Sequence, residues 1–334
     1  MMCCYYPTTT VAIDDDVDFL KVITQHLEIA DCISFSSPSK AVESLKNKQA
    51  LDRLRSHISS QPIAIDNFKI GEDYAFQINM HKLHNEIYSK NRFDDASVLI
   101  IDYHMGETSG IDVCEALSNH PARKILLTGG KDKEKIVIEA FNKGLIHRFI
   151  NKSDPIFPAL LKQAITMLRE VYFRDLTTTL LPHIATTKAS LLQHPAYINF
   201  TKNLHAQFNT VEHYLIDTVG SSLLIDADGN PLWLVIKHES EIGAYVNIAK
   251  DQDDSNPSTE ALVQREKIPF FFLDEDFQKP VSAWEDYLYP AHLLTGINGY
   301  YYTVIKGHIR NNLVREKIIS YNAYKRPNQN IDVA

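Results

Sequence analysis

The sequence predicts an α/β fold for its first half, a doubly wound five-stranded parallel sheet, followed by a linker helix and an α+β domain. Two observations predict the sheet. Short aliphatic runs alternate with segments whose apolar residues recur at helical spacing. The runs are also apolar on both faces, as strands are when helices cover both sides of a sheet. We place the domains at residues 1–175 and 176–334.

Each predicted strand of the first half is followed by a predicted helix. In chain order, the strands are TVAI at 10–13, CISF at 32–35, VLII at 98–101, RKILLT at 123–128 and IHRFIN at 146–151. The first four helices are 17–30, 37–48, 109–120 and 131–144, the last of them closed by Gly144. A fifth helix has Pro155 in its first turn and extends over 166–182 as the linker.

Polar side chains stand where these strands end. In chain order they are Asp14, Asp15 and Asp16, then Asp102, Thr128 and Lys152. The carboxyl ends of parallel strands meet at one rim, where ligand sites form. Clustered carboxylates favour a divalent cation, and Mg²⁺ prefers oxygen ligands. A carboxylate can also attack phosphorus, and a metal ion and a lysine would offset the added charge.

These motifs, in this order, resemble the receiver domain of bacterial two-component response regulators. The resemblance covers residues 9–173 and includes motifs on four of the five strands. The matched positions are Asp14 and Asp15 in IDDD, Asp102, Met105 and Gly110 in DYHMGETSG, Thr128 in ILLTGG, and Phe149 and Lys152 in GLIHRFINKSD. The resemblance implies a phosphorylated signalling protein rather than an enzyme.

The resemblance implies a phospho-acceptor and a magnesium site. Asp102 would accept a phosphoryl group from a sensor histidine kinase or a phosphotransfer protein. Asp15 and Asp102 would bind Mg²⁺ directly and Asp14 through water. The main-chain carbonyl of His104 would be the third protein ligand.

The resemblance also implies a switch. Lys152 would pair first with the Asp102 carboxylate and then with the phosphoryl group. Thr128 would move toward a phosphoryl oxygen, and Phe149 would turn inward into the vacated space. New charge contacts of this kind bias an equilibrium between two conformations. The surface formed by the last two strand–helix units would therefore change.

The sequence departs from the family pattern at three places. Gly106 stands where the family has a proline after Met105, and Ser153 replaces the proline that normally follows the lysine through a cis bond. The stretch between Asp15 and Asp102 is longer than in the family. We therefore expect an insertion at about 50–95, which we interpret as a surface elaboration away from the site.

Other polar residues of the first half have simpler interpretations. Asp16 and Asp18 are expected to be charges at a helix N-terminus rather than metal ligands. His81 and His84 share the face of a predicted helix, and a solvated face is favoured over a metal site because no further ligand stands nearby.

The second half predicts an α+β domain with many aromatic residues. The predicted elements are a helix at 194–217, a hairpin at 221–237 with Asp228 and Gly229 in its turn, strands at 243–249, within 267–276 and at 300–308, and a helix at 311–327. No output family is recognisable. Three outputs stay open: regulated protein–protein interaction or dimerisation, DNA binding through 311–327, and an enzyme with an unrecognised site.

The charge and residue composition of the chain limit which kinds of partner it is expected to bind. The chain has 334 residues and 34 Lys and Arg against 42 Asp and Glu, a net charge of −8. Neither half of the chain has the excess of basic residues that nucleic-acid-binding domains usually show, so DNA is a possible partner but not a favoured one. We expect a homodimer instead. No apolar run is long enough to span a membrane. The four cysteines show no metal-type pairing with histidines, and Cys32 and Cys114 lie in apolar segments as buried thiols do, so we expect a reduced, cytoplasmic protein.

Overall fold

The computed structural model describes residues 2–27, 29, 31–46, 85–129, 134–180, 190–217, 219–271, 274–307, 313–325 and 331–332. These residues form two compact units. One contains the described residues of 6–46, 90–180 and 324–332, and the other those of 2–5, 85–89 and 190–323. Most of the insertion expected at about 50–95, and with it His81 and His84, lies outside the described residues. Among the described helices, none combines the length and hydropathy that a membrane span needs.

The first unit contains a parallel sheet of six strands. Across the sheet, the strands are Ile331–Asp332, Cys32–Phe35, Thr9–Ile13, Ala96–Asp102, Arg123–Thr128 and Arg148–Asn151. The last five follow the order 2-1-3-4-5 of their sequence, which confirms the predicted doubly wound sheet. The sixth strand, from the C-terminal end of the described chain, was not predicted.

A helix follows each of the five predicted strands of this sheet. They are Val17–Lys21, which continues as a wider π-type turn over Val22–His26, then Pro38–Lys46, Gly110–Ala116, Glu134–Asn142 and Phe157–Leu180. A 3₁₀ helix, Lys90–Asp94, leads into the central strand, and a small ribbon pairs His104–Met105 with Thr108–Ser109. The predicted extension of the last helix into a linker is confirmed as far as Leu180.

Alternate residues of the strands supply two hydrophobic cores, one on each face of the sheet. Val11, Leu99 and Leu126 belong to one core, and their neighbours Ala12, Ile100 and Ile125 belong to the other. All seven residues of Ala96–Asp102 are buried. Successive side chains of a strand point to opposite faces, so a strand covered on both sides is mostly apolar, as Val98–Ile101 are here. The central strand therefore carries no polar side chain at its middle and ends on a buried carboxylate.

The second unit is built on an antiparallel sheet with helices. Across this sheet, the strands are Cys4–Tyr5, Thr210–Leu215, Ser222–Asp226, Pro231–His238, Tyr300–Lys306 and His292–Leu293. A separate short pair joins Lys267–Pro269 to Leu288–Pro290. The helices are Ser190–Gln193, Pro195–Phe208, Glu239–Asp253, Pro257–Val263, Asp274–Phe277 and Tyr321–Tyr324, with 3₁₀ helices at Val281–Tyr287 and Arg315–Lys317. The predicted α+β class is confirmed.

Three predicted elements of the second half are wrong. The helix predicted over 194–217 ends at Phe208, because Asn209 adopts a left-handed conformation (φ 49°) and the following residues form a strand. The strand predicted over 243–249 is part of the helix Glu239–Asp253, which buries Ile242, Val246 and Ala249 at helical spacing. The segment 311–327 contains, among its described residues, only Arg315–Lys317 and Tyr321–Tyr324. A DNA-reading helix over this whole segment is therefore not formed.

The predicted hairpin and its predicted turn both agree with the structure. Ser222–Asp226 and Pro231–His238 pair as an antiparallel hairpin. Its turn contains Gly229 at φ +82°, a conformation that glycine adopts without strain. The Asp226 side chain accepts the main-chain N–H groups of Asp228 and Asn230, which fixes the turn.

Two short strands, one early and one late in the described chain, each pair with a strand from the opposite half of the sequence. Cys4–Tyr5 joins the strand Thr210–Leu215, and Ile331–Asp332 joins Cys32–Phe35. The predicted domains at 1–175 and 176–334 are contiguous stretches, and they did not anticipate that strands pair across the boundary between them. In other respects, the division of the chain into those domains stays a prediction.

Candidate functional site

Three carboxylates meet at the carboxyl ends of the two central strands. Asp14 follows Thr9–Ile13, Asp15 is next to it, and Asp102 ends its own strand. Carboxylate oxygens of the three residues lie within 4.8 Å of one another. The parallel register that pairs Ile13 with Ile101 places these strand ends side by side. Asp14 and Asp102 are buried, whereas Asp15 is exposed.

Lys152 brings an ammonium group to the two buried carboxylates. It follows the strand Arg148–Asn151, and its main-chain N–H donates to the Thr128 carbonyl at 2.7 Å. Its Nζ donates to Asp14 Oδ2 at 2.7 Å and to Asp102 Oδ1 at 2.8 Å. The same nitrogen lies 3.9 Å from the ring centroid of Phe19, a cation–π contact. Lys152 is therefore shared between two acids and covered by an aromatic ring.

The pKa values of Asp14 and Lys152 are both raised, for different physical reasons. Burial raises the pKa of Asp14 above its usual value, although hydrogen bonds from Lys152 and from the Asp16 main chain oppose the increase. Burial would lower the pKa of Lys152, but hydrogen bonds to Asp102 and Asp14 and attraction to their charges outweigh it, so this pKa is raised. A charged ammonium thus stays in the site over the whole physiological pH range.

Asp102 is held by the loop that follows it. Its Oδ2 accepts the His104 main-chain N–H at 2.8 Å, while Oδ1 accepts Lys152. The main-chain N–H of Gly110 donates to the Tyr103 carbonyl at 2.9 Å, which closes the loop. The ring of the exposed His104 lies nearly perpendicular to the Tyr103 ring, at an interplanar angle of 81° with centroids 4.8 Å apart. Whether the His104 carbonyl binds metal stays a prediction.

The backbone of Gly110 lies close to the Asp102 peptide. A Cβ at this position would lie 2.2 Å from the Asp102 carbonyl oxygen and 2.9 Å from a Leu126 methyl carbon. Gly110 begins the helix Gly110–Ala116, whose N-cap Ser109 forms a reciprocal capping box with Asp112. The glycine of the DYHMGETSG motif thus lets a helix start directly against the proposed phospho-acceptor.

The structure explains two departures from the receiver pattern. Gly106 has φ +60°, a left-handed conformation that the ring of proline, fixed near −65°, cannot adopt. This loop therefore follows a different backbone path from one with proline there. The described residues contain no cis peptide bond, so the bond between Lys152 and Ser153 is trans. The lysine nevertheless reaches both carboxylates.

Among the described residues, neither of the two predicted switch residues, Thr128 and Phe149, forms a side-chain hydrogen bond with the three acids. Thr128 is buried and ends the strand Arg123–Thr128, one residue beyond Leu127, the register partner of Asp102. Within the part of the chain that the structure describes, its hydroxyl makes no hydrogen bond. Phe149 points outward and is 51% exposed. The roles of Thr128 and Phe149 stay predictions.

Asp16 and Asp18 lie where the sequence predicted. The Asp16 side chain caps the helix Val17–Lys21 by accepting the N–H groups of Asp18 and Phe19, and Asp18 forms an exposed ion pair with Lys21. Sequence reasoning missed Phe19, the aromatic cover of Lys152. The signal available was its position four residues after Asp15, on the first turn of a helix that starts at the rim.

The donor set fits a magnesium ion. Asp14, Asp15 and Asp102 offer oxygen atoms alone, which is the ligand type that Mg²⁺ prefers. Only Asp15 is exposed, so a hydrated ion would approach from that side while the other two acids form the floor. When bound, the ion would neutralise part of the negative charge that Lys152 alone does not offset.

Comparisons with known proteins identify the family. The response regulator LqsR of Legionella pneumophila is 30% identical to this chain over 97% of it and 95% of LqsR, with a TM-score of 0.76. A CheY-like receiver domain protein of Methanospirillum hungatei JF-1 is 13% identical, covering 51% of this chain and 98% of its own, with a TM-score of 0.33. The response regulator TrrA of Thermotoga maritima, solved in complex with Mg²⁺ and BeF, is 13% identical over 48% and 98%, with a TM-score of 0.30. Neither a protein-family model nor a curated protein matches the chain. The similarity to LqsR spans both units, and the chain belongs to the response regulators, with a receiver fold and a further antiparallel-sheet unit.

Proposed function

We propose that this response regulator accepts a phosphoryl group on Asp102 from a phosphohistidine of a sensor histidine kinase or phosphotransfer protein, with Mg²⁺ bound at Asp14, Asp15 and Asp102. We further propose that phosphorylation controls a homodimer or another protein–protein interaction. One observation carries the proposal: Lys152 bridges Asp14 and Asp102 inside a cluster of three carboxylates. This arrangement places a permanent positive charge beside the carboxylate that would be modified.

The chemistry that these residues support is an in-line transfer. A carboxylate oxygen of Asp102 attacks phosphorus, the new O–P bond forms, and the P–N bond to the histidine breaks. The electron pair of that bond stays on the imidazole nitrogen. An imidazole that leaves as the anion then takes a proton from solvent. Bound Mg²⁺ would lower the repulsion between the carboxylates and the incoming phosphoryl group. Lys152 would follow the charge from the Asp102 oxygen to the phosphoryl oxygens.

The readout would use residues beside the site. The Thr128 hydroxyl is without a hydrogen bond among the described residues and would donate to a phosphoryl oxygen. Its movement would open space for the exposed ring of Phe149. Exposed apolar side chains lie near this ring in sequence, on Glu134–Asn142, namely Ile136, Ile138 and Phe141. An inward Phe149 would change the shape of this apolar surface, and a partner or a second copy that prefers one shape would then bind according to phosphorylation.

A small-molecule phosphodonor tests the acceptor directly. The full chain is treated with acetyl phosphate and Mg²⁺, and phosphoryl incorporation is measured by intact mass. We expect one added phosphoryl group in the wild type and none in Asp102→Asn. Asp18→Asn is the matched control, because it makes the same chemical change at an exposed residue near the same rim, and it should be labelled like the wild type.

The same samples test the proposed output by light scattering after size-exclusion chromatography. We expect the phosphorylated wild type to show a larger assembly than the untreated protein, and Asp102→Asn to show no change on treatment. Equal labelling of Asp102→Asn would exclude this residue as acceptor. Labelling without any change in mass of the particle would leave the acceptor in place and contradict regulated dimerisation.

A further inference from the structure

Two adjacent cysteines lie at the start of the second unit. Cys3 and Cys4 are both in the thiol state and only 5% exposed. Their Sγ atoms are 3.9 Å apart. Successive side chains of an extended strand point to opposite faces, so this distance requires the bend at Cys3 that precedes the strand. The bend turns the two thiols toward each other. Neither thiol has a role in the proposed phosphorylation chemistry.

These cysteines also attach the N-terminal strand to its sheet. Cys4–Tyr5 pairs antiparallel with Thr210–Leu215 at the sheet edge. The carbonyl of Cys3 accepts the main-chain N–H of Leu215 at 2.8 Å. A pairing of two residues at an edge opens at low free energy compared with the interior of a sheet. Brief opening would therefore expose both thiols to a small oxidant.

We propose that Cys3 and Cys4 are a redox modification site, which a hydroperoxide converts to a reversible vicinal disulfide that releases the N-terminal strand. One thiolate attacks the peroxide oxygen and becomes a sulfenic acid, while the peroxide O–O bond breaks and the leaving oxygen departs as water or an alcohol. The second thiol then attacks the sulfenic sulfur, the S–O bond breaks as the S–S bond forms, and the hydroxyl leaves as water with the proton of the second thiol. Two thiols are oxidised and one peroxide is reduced.

Ring closure conflicts with the strand pairing. A disulfide needs an S–S distance of about 2.05 Å, and its Cα atoms are usually at least about 4.4 Å apart. Adjacent residues across a trans peptide are only about 3.8 Å apart. The backbone at Cys3 and Cys4 must therefore rearrange, and the bond between the Cys3 carbonyl and Leu215 is lost. Strain of this kind also makes a disulfide easy to reduce, so the modification reverses.

The other two cysteines serve as internal controls. Cys32 and Cys114 are buried in the first unit, and burial raises the pKa of each thiol to about 12. The thiolate is the reactive form, so these two thiols are expected to resist oxidation. The described residues place no second thiol within bonding distance of either.

Peptide mapping tests the covalent step in the full-length protein. After treatment with hydrogen peroxide, the remaining thiols are alkylated and the protein is cut with trypsin. The peptide from Met1 to Lys21 contains both Cys3 and Cys4. We expect it to lose the mass of two hydrogen atoms and to become alkylated only after dithiothreitol. Cys3→Ser and Cys4→Ser should each abolish this product, and Cys32→Ser should keep it. Sulfinic acid on this peptide, or chains linked to each other on a non-reducing gel, would overturn the proposal.

Hydrogen exchange tests the release of the strand and requires no variant to fold. Oxidised wild type should lose protection at the amides of Tyr5 and Leu215, and dithiothreitol should restore it. Unchanged protection in a protein that carries the disulfide would show that the strand stays attached and would contradict the release. The same measurement on Asp102→Asn should give the same result, because the modification does not depend on the phosphorylation site.

Discussion

Replacing Gly110 by alanine should damage the site without touching any charged group. The added Cβ would lie 2.2 Å from the Asp102 carbonyl oxygen and 2.9 Å from Leu126, and contacts below 3.0 Å essentially do not occur at real Cβ atoms. The helix Gly110–Ala116 or the end of the central strand must therefore move by about 1 Å to restore an ordinary contact, and overpacking of this kind typically costs about 1–3 kcal/mol. The movement would pull Asp102 away from Lys152.

The assay for Gly110→Ala has two readouts and a matched control. Chemical denaturation gives the change in unfolding free energy, and acetyl phosphate labelling gives the effect on Asp102. Gly129→Ala makes the same substitution at the next strand end, where an added Cβ has no heavy atom within 4 Å and the backbone is not left-handed. We expect Gly129→Ala to behave like the wild type. If Gly110→Ala is as stable as Gly129→Ala and is labelled at the same rate, the close approach does not position the acceptor and the reasoning fails.

Three further predictions follow from the charges. Lys152→Met leaves the buried carboxylates of Asp14 and Asp102 without their cation and removes the contact that opposes the rise in the pKa of Asp14. It should therefore destabilise the protein more at neutral pH than near pH 4, and should slow labelling at least about tenfold, ~1.4 kcal/mol; denaturation curves that shift equally at both pH values would contradict this. Asp15→Asn should weaken Mg²⁺ binding by about tenfold in titration calorimetry, and an unchanged affinity would remove Asp15 from the metal site. Burial, with the nearby charges of Arg123 and Lys124, lowers the pKa of His147 to about 4 in the folded protein from 6.5. The contribution of neutral His147 to stability is therefore present above pH 6.5 and is lost as the pH falls toward 4. His147→Asn keeps an acceptor for the Lys124 N–H and should make thermal unfolding less sensitive to acid. A variant with the same pH profile as the wild type would contradict this prediction.

The rim could be predicted from the sequence because parallel strands leave little freedom in where their ends lie. Once VLII is a buried strand, Asp102 must emerge at its carboxyl end, and the same holds for Asp14 after TVAI. The register of the sheet then brings Asp14, Asp102 and Lys152 within hydrogen-bonding distance. Short apolar runs that end in polar residues are thus strong evidence when several of them share one sheet.

Other features carry no comparable signal. The strands Cys4–Tyr5 and Ile331–Asp332 have two residues each, too few to show a period of two, and both pair far along the chain. The run 243–249 contains apolar residues compatible with a strand or a helix, and only the buried spacing of Ile242, Val246 and Ala249 resolves the two. The left-handed backbone of Gly106 is equally invisible in the sequence, because glycine is tolerated in most conformations.

The central claim is that Asp14, Asp15, Asp102 and Lys152 form one metal-dependent phosphoryl site. Beryllium fluoride mimics a phosphoryl group on a carboxylate, and fluorine NMR reports the bound species. We expect a protein-bound fluorine signal that requires both beryllium and Mg²⁺ and that is missing in Asp102→Asn. A bound signal that persists without Mg²⁺, or that Asp102→Asn retains, would contradict the account.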